Sequence, residues 1–404
     1  MAVAYLLSRR HEVVVFEAED RLGGHSHTVQ VPSGQGPVAV DTGFIVYNER
    51  TYPNFCRLID QLGVATEESD MSFSFRNEAT GLEYAVPELR RLLAVPANLL
   101  RPRFWRMLRQ ILRFYREAPR FLETAEGDES LELQEYLARE GYDEAFCEDH
   151  LFPVAESIWS GNRRQLGAFP ARAFLRFSRN HGLLSLNDRP KWRTIRGGSI
   201  RYVEKLTASY RDAVRLSTPV RAVRRDEFGV VIVTDAAGEE RFDEVVLACH
   251  ADQSLRLLAD PTPLEQEILG AFPYAENRTT LHTDPGLMPR RRAAWSAWNY
   301  HRRPDDTSTV ALTYSMNLLQ NLPGPTPWLV TLNRDEAIAD EHVHGRYLYA
   351  HPQYDARGVS LQGRHDELNG QNHTWYCGAY WGYGFHEDGL ASALRVARRF
   401  GEEL

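Results

Sequence analysis

The sequence predicts an α/β fold in which a discontinuous nucleotide-binding domain is interleaved with a second domain of α+β type. Two short runs, 13–16 (VVVF) and 244–248 (EVVLA), lack the polar alternation of a half-exposed strand, which predicts parallel strands buried on both faces. Between them, residues 70–188 show long helical patterns with many Arg, whereas residues 276–333 alternate as antiparallel strands do. Sheet segments at both ends and in the middle of the chain exclude two domains in simple tandem.

The elements follow in a definite order along the chain. The patterns predict a helix over 1–10, a strand over 12–17, a β-rich run over 38–47, a Gly-Gly turn and helix over 194–210, strands over 221–258, and a strand, loop and helix over 374–401. We assign residues 1–68, 195–275 and 360–404 to the nucleotide-binding domain, and residues 69–194 and 276–359 to a substrate domain with an antiparallel sheet and helices.

Composition excludes several classes of protein. The 404 residues are 43% apolar, enough for a sizeable core, and the net charge of −8 argues against a nucleic-acid partner. The four Cys form no Cys-x-x-Cys pair, and the His residues lack the spacing of a helical metal site, so we expect reduced thiols and no metal. Because no signal peptide or membrane span is visible, the sequence predicts a cytoplasmic protein.

The segment 88–123 carries nine Arg among Leu, Phe, Trp and Ile. Its helical spacing predicts a basic face, formed by Arg106, Arg109, Arg113 and Arg116, opposite an apolar face formed by Phe104, Leu108, Ile111, Leu112 and Tyr115. One interpretation is an amphipathic helix packed on a core. The other is a helix that makes peripheral contact with an anionic membrane, the inner membrane in a bacterium, or guides a charged lipid.

An acid at the end of the second strand of a dinucleotide fold accepts hydrogen bonds from a ribose. Glu17 occupies that place, and Glu17-Ala-Glu-Asp-Arg21-Leu-Gly23-Gly24-His25 resembles the Glu-x-x-x-Arg-x-Gly-Gly segment of the FAD-dependent amine oxidase and phytoene desaturase superfamily. The resemblance implies a Rossmann-like FAD-binding domain. In it the acid binds the adenosine ribose, while the Arg, the Gly pair and the following His25 line the pyrophosphate and flavin path.

The resemblance extends along most of the chain. Thr42, Gly43 and Phe44 resemble the turn near the flavin, and Val220 begins the strand that touches the adenine. Residues 376–394 (YCGAYWGYGFHEDGLASAL) resemble the C-terminal flavin motif, where a loop crosses the isoalloxazine before a helix N-terminus. This motif implies cofactor contacts for a further set of residues, namely Gly378, Tyr383, Gly384, Phe385 and His386.

Within the superfamily, the combination of His-Thr-Asp at 282–284, Trp-Asn-Tyr at 298–300 and the C-terminal motif resembles a bacterial group of amine-oxidase-like proteins associated with cyclopropane-fatty-acid synthases. The resemblance implies an FAD-dependent oxidoreductase of lipid metabolism that acts on a small hydrophobic or lipid substrate by desaturation, saturation or isomerisation. Ala379 stands where the amine oxidases carry an acid, which argues against amine oxidation. The chain has no Gly-x-Gly-x-x-Gly, so no separate nicotinamide site is expected.

The opening MAVAYLLSRR resembles the helix that follows the last Gly of the missing fingerprint. We therefore expect a preceding strand and phosphate loop in the native gene, and weak FAD binding without them. The alternative is a cofactor-deficient fragment or a non-enzymatic interaction protein that retains the flavoprotein fold.

Catalytic residues are less well defined by the sequence. His386 is a candidate proton donor or base, or a group that hydrogen-bonds the cofactor. An aromatic pocket against the flavin, or alternatively ordinary core, is expected from Trp295, Trp298, Tyr300, Tyr380, Trp381, Tyr383 and Phe385.

Overall fold

The computed structural model describes residues 1–34, 36–87, 89–123, 128–185, 188–303 and 310–404. Its strands are β1 Val15–Phe16, β2 Thr28–Val31, β3 Val38–Asp41, β4 Val46–Asn48, β5 Thr66–Glu68, β6 Phe73–Asn77, β7 Leu82–Val86, β8 Trp192–Ile195, β9 Val214–Arg215, β10 Val220–Asp226, β11 Gly229–Thr234, β12 Gly238–Phe242, β13 Val245–Leu247, β14 Tyr274–His282, β15 Trp298–Arg302, β16 Leu312–Ser315, β17 Leu329–Leu332, β18 Val343–Pro352 and β19 Thr374–Tyr376. Its α-helices are α1 Ala2–Leu7, α2 Pro53–Gln61, α3 Leu89–Leu92, α4 Pro102–Glu123, α5 Leu133–Arg139, α6 Glu144–Phe146, α7 Phe152–Trp159, α8 Arg163–Gly167, α9 Ala171–Asn180, α10 Ile200–Thr207, α11 Ala251–Leu257, α12 Pro263–Leu269, α13 Met316–Leu319, α14 Ala356–Leu361, α15 His365–Leu368 and α16 His386–Arg399.

Two narrow parallel sheets replace the continuous parallel sheet that the sequence suggests. β1 pairs only with β9, and β13 pairs only with β19, among the described residues. Helices α1 and α16 pack together over both pairs, where Val3 and Val396 are buried beside Val13 and Val246. The prediction of strands buried on both faces is wrong, because residues 13–17 are half-buried and β13 buries only Leu247. A sheet two strands wide leaves its edges open to solvent.

The seven-stranded sheet confirms the antiparallel prediction for residues 276–333, with one exception. Its strand order is β18-β14-β17-β16-β15-β6-β7. All neighbours are antiparallel except β15 and β6, which run parallel with Trp298 opposite Phe73. Parallel neighbours need a long crossover, and the chain between β6 and β15 contains more than two hundred residues. The observed architecture is the predicted α/β class, while the division into domains stays a prediction.

Helix α4 is the longest described helix, and only part of its predicted face assignment is correct. Phe104, Met107, Ile111, Phe114 and Ala118 are buried, against α6 and α9 among other elements. Leu112, which the sequence assigns to the apolar face, is 55% exposed. The reason is geometric, because Leu112 lies about a third of a turn from the centre of the buried stripe and so falls outside it.

A second departure on α4 concerns Arg113. Its guanidinium pairs with Glu117 at 2.7 Å and donates to the Glu140 carbonyl oxygen at 2.6 Å, so it packs inward and does not belong to the free basic face. No helix in the described part of the chain combines the length and the apolar character needed to cross a membrane.

Candidate functional site

The site lies at the carboxyl ends of the short parallel strands. Glu17 follows β1, His250 follows β13 and Cys377 follows β19. Open α/β sheets bind their ligands at this edge, where the strand order reverses. Val13, just before β1, packs in one cluster with Cys377, just after β19, so the two strand pairs lie in the same region.

The turn after β1 brings four of the predicted cofactor residues together. The Glu17 carboxylate accepts a hydrogen bond from the Glu19 backbone N–H at 3.0 Å, and Arg21 donates to the Gly24 carbonyl oxygen at 2.8 Å. Gly23 has φ +118°, and a Cβ there would lie 2.4 Å from the Ser26 carbonyl oxygen, so the turn requires glycine. A Cβ on Gly24 would meet no atom within 4 Å. The turn therefore presents an open surface beside Gly24.

Val220 reaches this turn through its neighbours in the chain. The Thr218 backbone N–H donates to the Glu17 carbonyl oxygen at 2.8 Å, and Val220 begins β10 two residues later. Its contact with a nucleotide base stays a prediction, as does every cofactor contact assigned from the sequence.

The turn at 42–44 is locked against the segment after Gly24. The Phe44 N–H donates to the His25 carbonyl oxygen at 2.7 Å, and the Thr42 N–H donates to the His27 carbonyl oxygen at 2.9 Å. A Cβ on Gly43 would lie 2.2 Å from the His25 carbonyl oxygen, so the close approach of the two segments depends on glycine. These contacts fix the direction of the Phe44 ring.

Phe44 connects this turn to the C-terminal helix. Its ring stacks on the His386 ring with centroids 3.9 Å apart, and His386 Nε2 is 2.7 Å from the Tyr202 hydroxyl oxygen. Burial lowers the pKa of His386 to about 4. The imidazole is therefore neutral at pH 7 and is a poor proton donor there. The alternatives of a base and of a group that hydrogen-bonds the cofactor both stay predictions.

A histidine cluster, made of His25, His250 and His351, surrounds the same turn. The His25 ring centroid lies 6.0 Å from that of His250, 5.3 Å from that of His351 and 5.0 Å from the Tyr349 ring. Burial, reinforced by the neighbouring histidines, lowers the pKa of His25 to about 3, and burial lowers that of His351 to about 4. Within the described ranges, no three His, Cys, Asp or Glu side chains are grouped to hold a metal ion.

The loop 378–385 is held by the first turn of α16. Asp388 Oδ2 accepts hydrogen bonds from the Tyr383 N–H at 3.0 Å and the Phe385 N–H at 2.9 Å, the capping arrangement of an acid at the third helical position. The Gly378 N–H donates to Ser392 Oγ at 2.9 Å. The first N–H groups of a helix have no acceptor within the helix, so the start of α16 offers donors to a ligand.

An aromatic wall stands against this loop, and we define it as Trp159, Phe177, His181, Tyr383 and Phe385. Phe385 stacks on Phe177 at 5.1 Å, Phe177 stacks on His181 at 3.8 Å, and Trp159 Nε1 donates to the Tyr383 carbonyl oxygen at 3.2 Å. Burial lowers the pKa of His181 to about 4, so this imidazole carries no positive charge at pH 7. The wall joins helices α7 and α9 to the loop before α16.

The other aromatic residues proposed from the sequence lie elsewhere. Trp298 and Tyr300 belong to β15, where Tyr300 donates a hydrogen bond to the buried Glu156 carboxylate. Trp295 Nε1 donates to the Pro289 carbonyl oxygen, and the rings of Tyr380 and Trp381 pack on Phe272. Six of the seven residues, all but Trp295, join one hydrophobic cluster, and Tyr383 and Phe385 alone among them belong to the aromatic wall. A pocket lined by all seven against the flavin stays a prediction beside the alternative of ordinary core.

Sequence reasoning missed several residues of this region. His250 could have been found, because it lies three residues after the end of β13 at the ligand-binding edge of a parallel pair. Tyr202, His351 and Tyr354 carry no local signal, since each joins the site only through tertiary packing. A separate open groove of about 230 Å³ lies on β14 and β18 beside Arg278, Asp335 and Arg346, and none of the candidate residues lines it.

Three observations test whether these residues suit a flavin nucleotide. Gly24 borders open space, the start of α16 offers N–H donors, and the buried Tyr354 hydroxyl has no hydrogen-bond partner among the described residues. That hydroxyl lies 2.9 Å from the position of a Cβ on Gly384, where φ is +90°. Polar groups without partners beside a glycine turn suit a flat ligand with a polar edge. The residues present therefore fit a flavin nucleotide.

Glycine turns and a helix N-terminus at the carboxyl ends of parallel strands are typical of a nucleotide-binding α/β protein. The chain belongs to the family of flavin containing amine oxidoreductases, whose sequence profile it matches over residues 1–324. It is an FAD-dependent oxidoreductase, as the sequence predicts.

Solved structures share the fold over nearly the whole chain. An engineered putrescine oxidase has a TM-score of 0.68 at 14% identity, with 98% of this chain and 95% of that chain covered. Cyclohexylamine oxidase from Brevibacterium oxydans has a TM-score of 0.68 at 14% identity, with 99% and 96% covered. A fatty acid isomerase from P. acnes that produces CLA has a TM-score of 0.63 at 17% identity, with 99% and 95% covered. Identities this low show the fold alone.

Proposed function

We propose that this chain acts on a hydrophobic substrate, with a lipid acyl chain as its substrate class, by desaturation, saturation or isomerisation. The observation that carries the proposal is the character of the aromatic wall, whose polar groups are one imidazole, the Tyr383 hydroxyl and the Trp159 indole N–H, the last already donated to the Tyr383 carbonyl oxygen. Because burial holds the His181 imidazole neutral at pH 7, the wall offers apolar surface and little charge to a substrate. An acyl chain gains from such a surface by leaving water.

The acids nearest the wall argue against a cationic amine. A carboxylate that is free to pair with it would favour an ammonium substrate. Asp388 already accepts two backbone hydrogen bonds from the loop, and Glu387 accepts hydrogen bonds from the Asn54 and Phe55 N–H groups at 3.0 and 2.9 Å. Ala379 supplies no acid at the position noted in the sequence. Both carboxylates serve to hold the backbone, so a neutral substrate suits the site better.

Bound FAD supplies the hydride acceptor or donor. The chain's own contribution is to orient and to exclude water. Phe44 and His386, stacked on each other, form a rigid pair beside the loop, and the Tyr202 hydroxyl holds the His386 ring in place. The similarity to a fatty acid isomerase agrees with an acyl substrate but does not extend beyond the fold.

The test compares acyl and amine substrates on the flavin-loaded protein. Flavin absorbance and the acyl products, the latter by mass spectrometry, are followed with unsaturated fatty acids, phospholipids, putrescine and cyclohexylamine. We expect spectral change and altered double bonds with an acyl substrate, and no response to either amine. Oxidation of an amine without any effect on acyl chains would contradict the proposal.

A matched pair of variants tests the wall itself. Phe385→Ser introduces a polar group into the aromatic wall, whereas Phe228→Ser makes the same change at a 74% exposed turn. We expect the first to weaken acyl binding at least tenfold, since burial of one aromatic ring contributes about 2 kcal/mol, and the second to have no effect. Flavin content is measured in both, so that loss of substrate binding is separated from loss of cofactor. A protein that takes up no flavin and changes no substrate would favour the alternative of a non-enzymatic binding protein.

A further inference from the structure

The surface of α4 that faces solvent is unusual in carrying both apolar and basic side chains. Trp105, Arg109, Leu112 and Arg116 follow one another at helical spacing along one stripe, and all four are exposed. Trp105 is 52% exposed and Leu112 is 55% exposed. A helix face that only met water would not be expected to alternate a Trp and a Leu with two Arg along one stripe.

The segment before α4 continues this surface. The 3-10 helix Pro96–Leu100 is tied to α4 because Trp105 Nε1 donates to the Leu99 carbonyl oxygen at 2.9 Å. Leu100 is 87% exposed, the largest value among the exposed large hydrophobic residues of the described chain. Five of the eight such residues lie between positions 93 and 112, so the apolar exposure is concentrated in one place. We call Leu99, Leu100, Trp105 and Leu112, with Arg106, Arg109, Arg116 and Arg120, the α4 surface.

The charge of the α4 surface favours an anionic partner. Residues 88–123 contain nine Arg and three Glu, although the whole chain has a net charge of −8. Arg106, Arg109 and Arg120 are exposed and enter no ion pair among the described residues. Protruding leucines need a partner that can deform around them, and guanidinium groups need anionic partners. An acidic lipid bilayer meets both needs, because its headgroups pair with Arg while Trp and Leu enter the boundary beneath them.

We propose that the α4 surface binds the surface of an anionic lipid membrane, with Trp105, Leu99, Leu100 and Leu112 inserted at the headgroup level. The contact is peripheral, since no described helix is suited to cross the bilayer. The binding does not depend on turnover, so it can be tested apart from the proposed function. If the protein binds anionic vesicles but does not change acyl substrates, the proposed function is refuted and the membrane proposal is not.

The experiment measures co-sedimentation of the full chain with vesicles of phosphatidylcholine alone and of phosphatidylcholine mixed with phosphatidylglycerol. We expect binding to the anionic vesicles only, weakened by added salt. Arg109→Gln/Arg116→Gln is compared with Arg139→Gln/Arg211→Gln, which removes the same charge at exposed positions outside the α4 surface. Each Arg near an anionic surface contributes roughly fivefold to binding, so the first pair is expected to bind about twentyfold more weakly and the control pair to stay within about threefold of the unchanged protein.

A second readout reports which side chain enters the lipid. Among the Trp residues of the chain, Trp105 alone is counted with the exposed large hydrophobic residues. Vesicles with brominated acyl chains should therefore quench tryptophan fluorescence, and Trp105→Phe should remove most of the quenching while the protein still sediments with the vesicles. Equal binding to neutral and anionic vesicles, no binding to either, or equal effects of the two Arg pairs would overturn the proposal. So would a dimer in sedimentation velocity that Leu100→Ser/Trp105→Ser converts to monomer, because the α4 surface would then bind a second copy.

Discussion

Asp388 is the side chain through which α16 holds the loop 378–385, and its replacement gives the sharpest test of the site. One oxygen accepts both loop N–H groups, from Tyr383 at 3.0 Å and from Phe385 at 2.9 Å. Asp388→Asn keeps a carbonyl oxygen for both hydrogen bonds, whereas Asp388→Ala removes the acceptor. An unsatisfied N–H costs about 1–3 kcal/mol, so the Ala variant is expected to lose about 2–4 kcal/mol of unfolding free energy and its hold on the loop.

The charge of Asp388 has the opposite effect on stability. Burial raises the pKa of its carboxyl group from 3.8 to about 6, so the folded state binds the proton more tightly than the unfolded state does. The stabilisation by the protonated form is fully present below pH 3.8 and is lost as the pH rises through 6, a change of about 3 kcal/mol. At pH 7 the Asn variant avoids this cost, so it is expected to be within about 1 kcal/mol of the unchanged protein, or more stable.

The assay is urea unfolding followed by tryptophan fluorescence at several pH values between 4 and 8. The stability of Asp388→Asn relative to the unchanged protein should fall as the pH is lowered, whereas Asp212→Asn, at an exposed position, should leave that difference constant. The reasoning is refuted if the Asn variant is as unstable as the Ala variant at pH 7. It is equally refuted if the Asn variant shows no change relative to the unchanged protein across this pH range.

Two further predictions concern the packing around the site and the pH dependence of folding. Gly198 has φ +89°, and a Cβ there would lie 2.5 Å from Thr28 Cγ2. Gly198→Ala is therefore expected to lower the unfolding free energy, measured in a thermal melt, by about 1–3 kcal/mol. Gly363→Ala, where a Cβ would meet open space, is expected to lower it by less than about 1 kcal/mol. His282 is fully buried, and its Nδ1 accepts a hydrogen bond from the Asp284 N–H. Burial lowers the pKa of His282 from 6.5 to about 4. The neutral imidazole therefore stabilises the folded state fully above pH 6.5, and this stabilisation is lost as the pH falls towards 4. His282→Asn should therefore reduce the loss of unfolding free energy between pH 7 and 4 by up to about 3 kcal/mol. His11→Asn, at an exposed position, should not reduce it. If the unfolding free energy of both variants depends equally on pH, His282 does not titrate in this way.

The sequence is sufficient for those parts of the fold that local pattern determines. The Gly pair at 23–24, the Gly turn at 43 and the helix beginning at His386 are where the motifs predict them, because each depends on a backbone conformation or a cap that nearby residues specify. The antiparallel strands of 276–333 follow from alternation in the same way.

What the sequence does not reveal depends on partners that lie far away along the chain. The half-burial of Val13 and Val245 follows from sheets only two strands wide, which apolar composition does not report. Leu112 is exposed although the sequence assigns it to the apolar face, because the pattern alone does not specify how far the buried stripe extends around the helix. His351 reaches the site from the far end of β18, and no motif could have signalled that approach.

The aromatic wall has a consequence for how the molecule folds. Its hydrogen bond between Trp159 and Tyr383 joins residues 224 positions apart, and the stack of Phe44 on His386 spans a longer separation still. Contacts of such high sequence separation require large loops to close, which carries an entropic cost in folding. Flavin that binds here should therefore stabilise the completed fold. We expect it to slow global unfolding more than it protects any single segment from local opening.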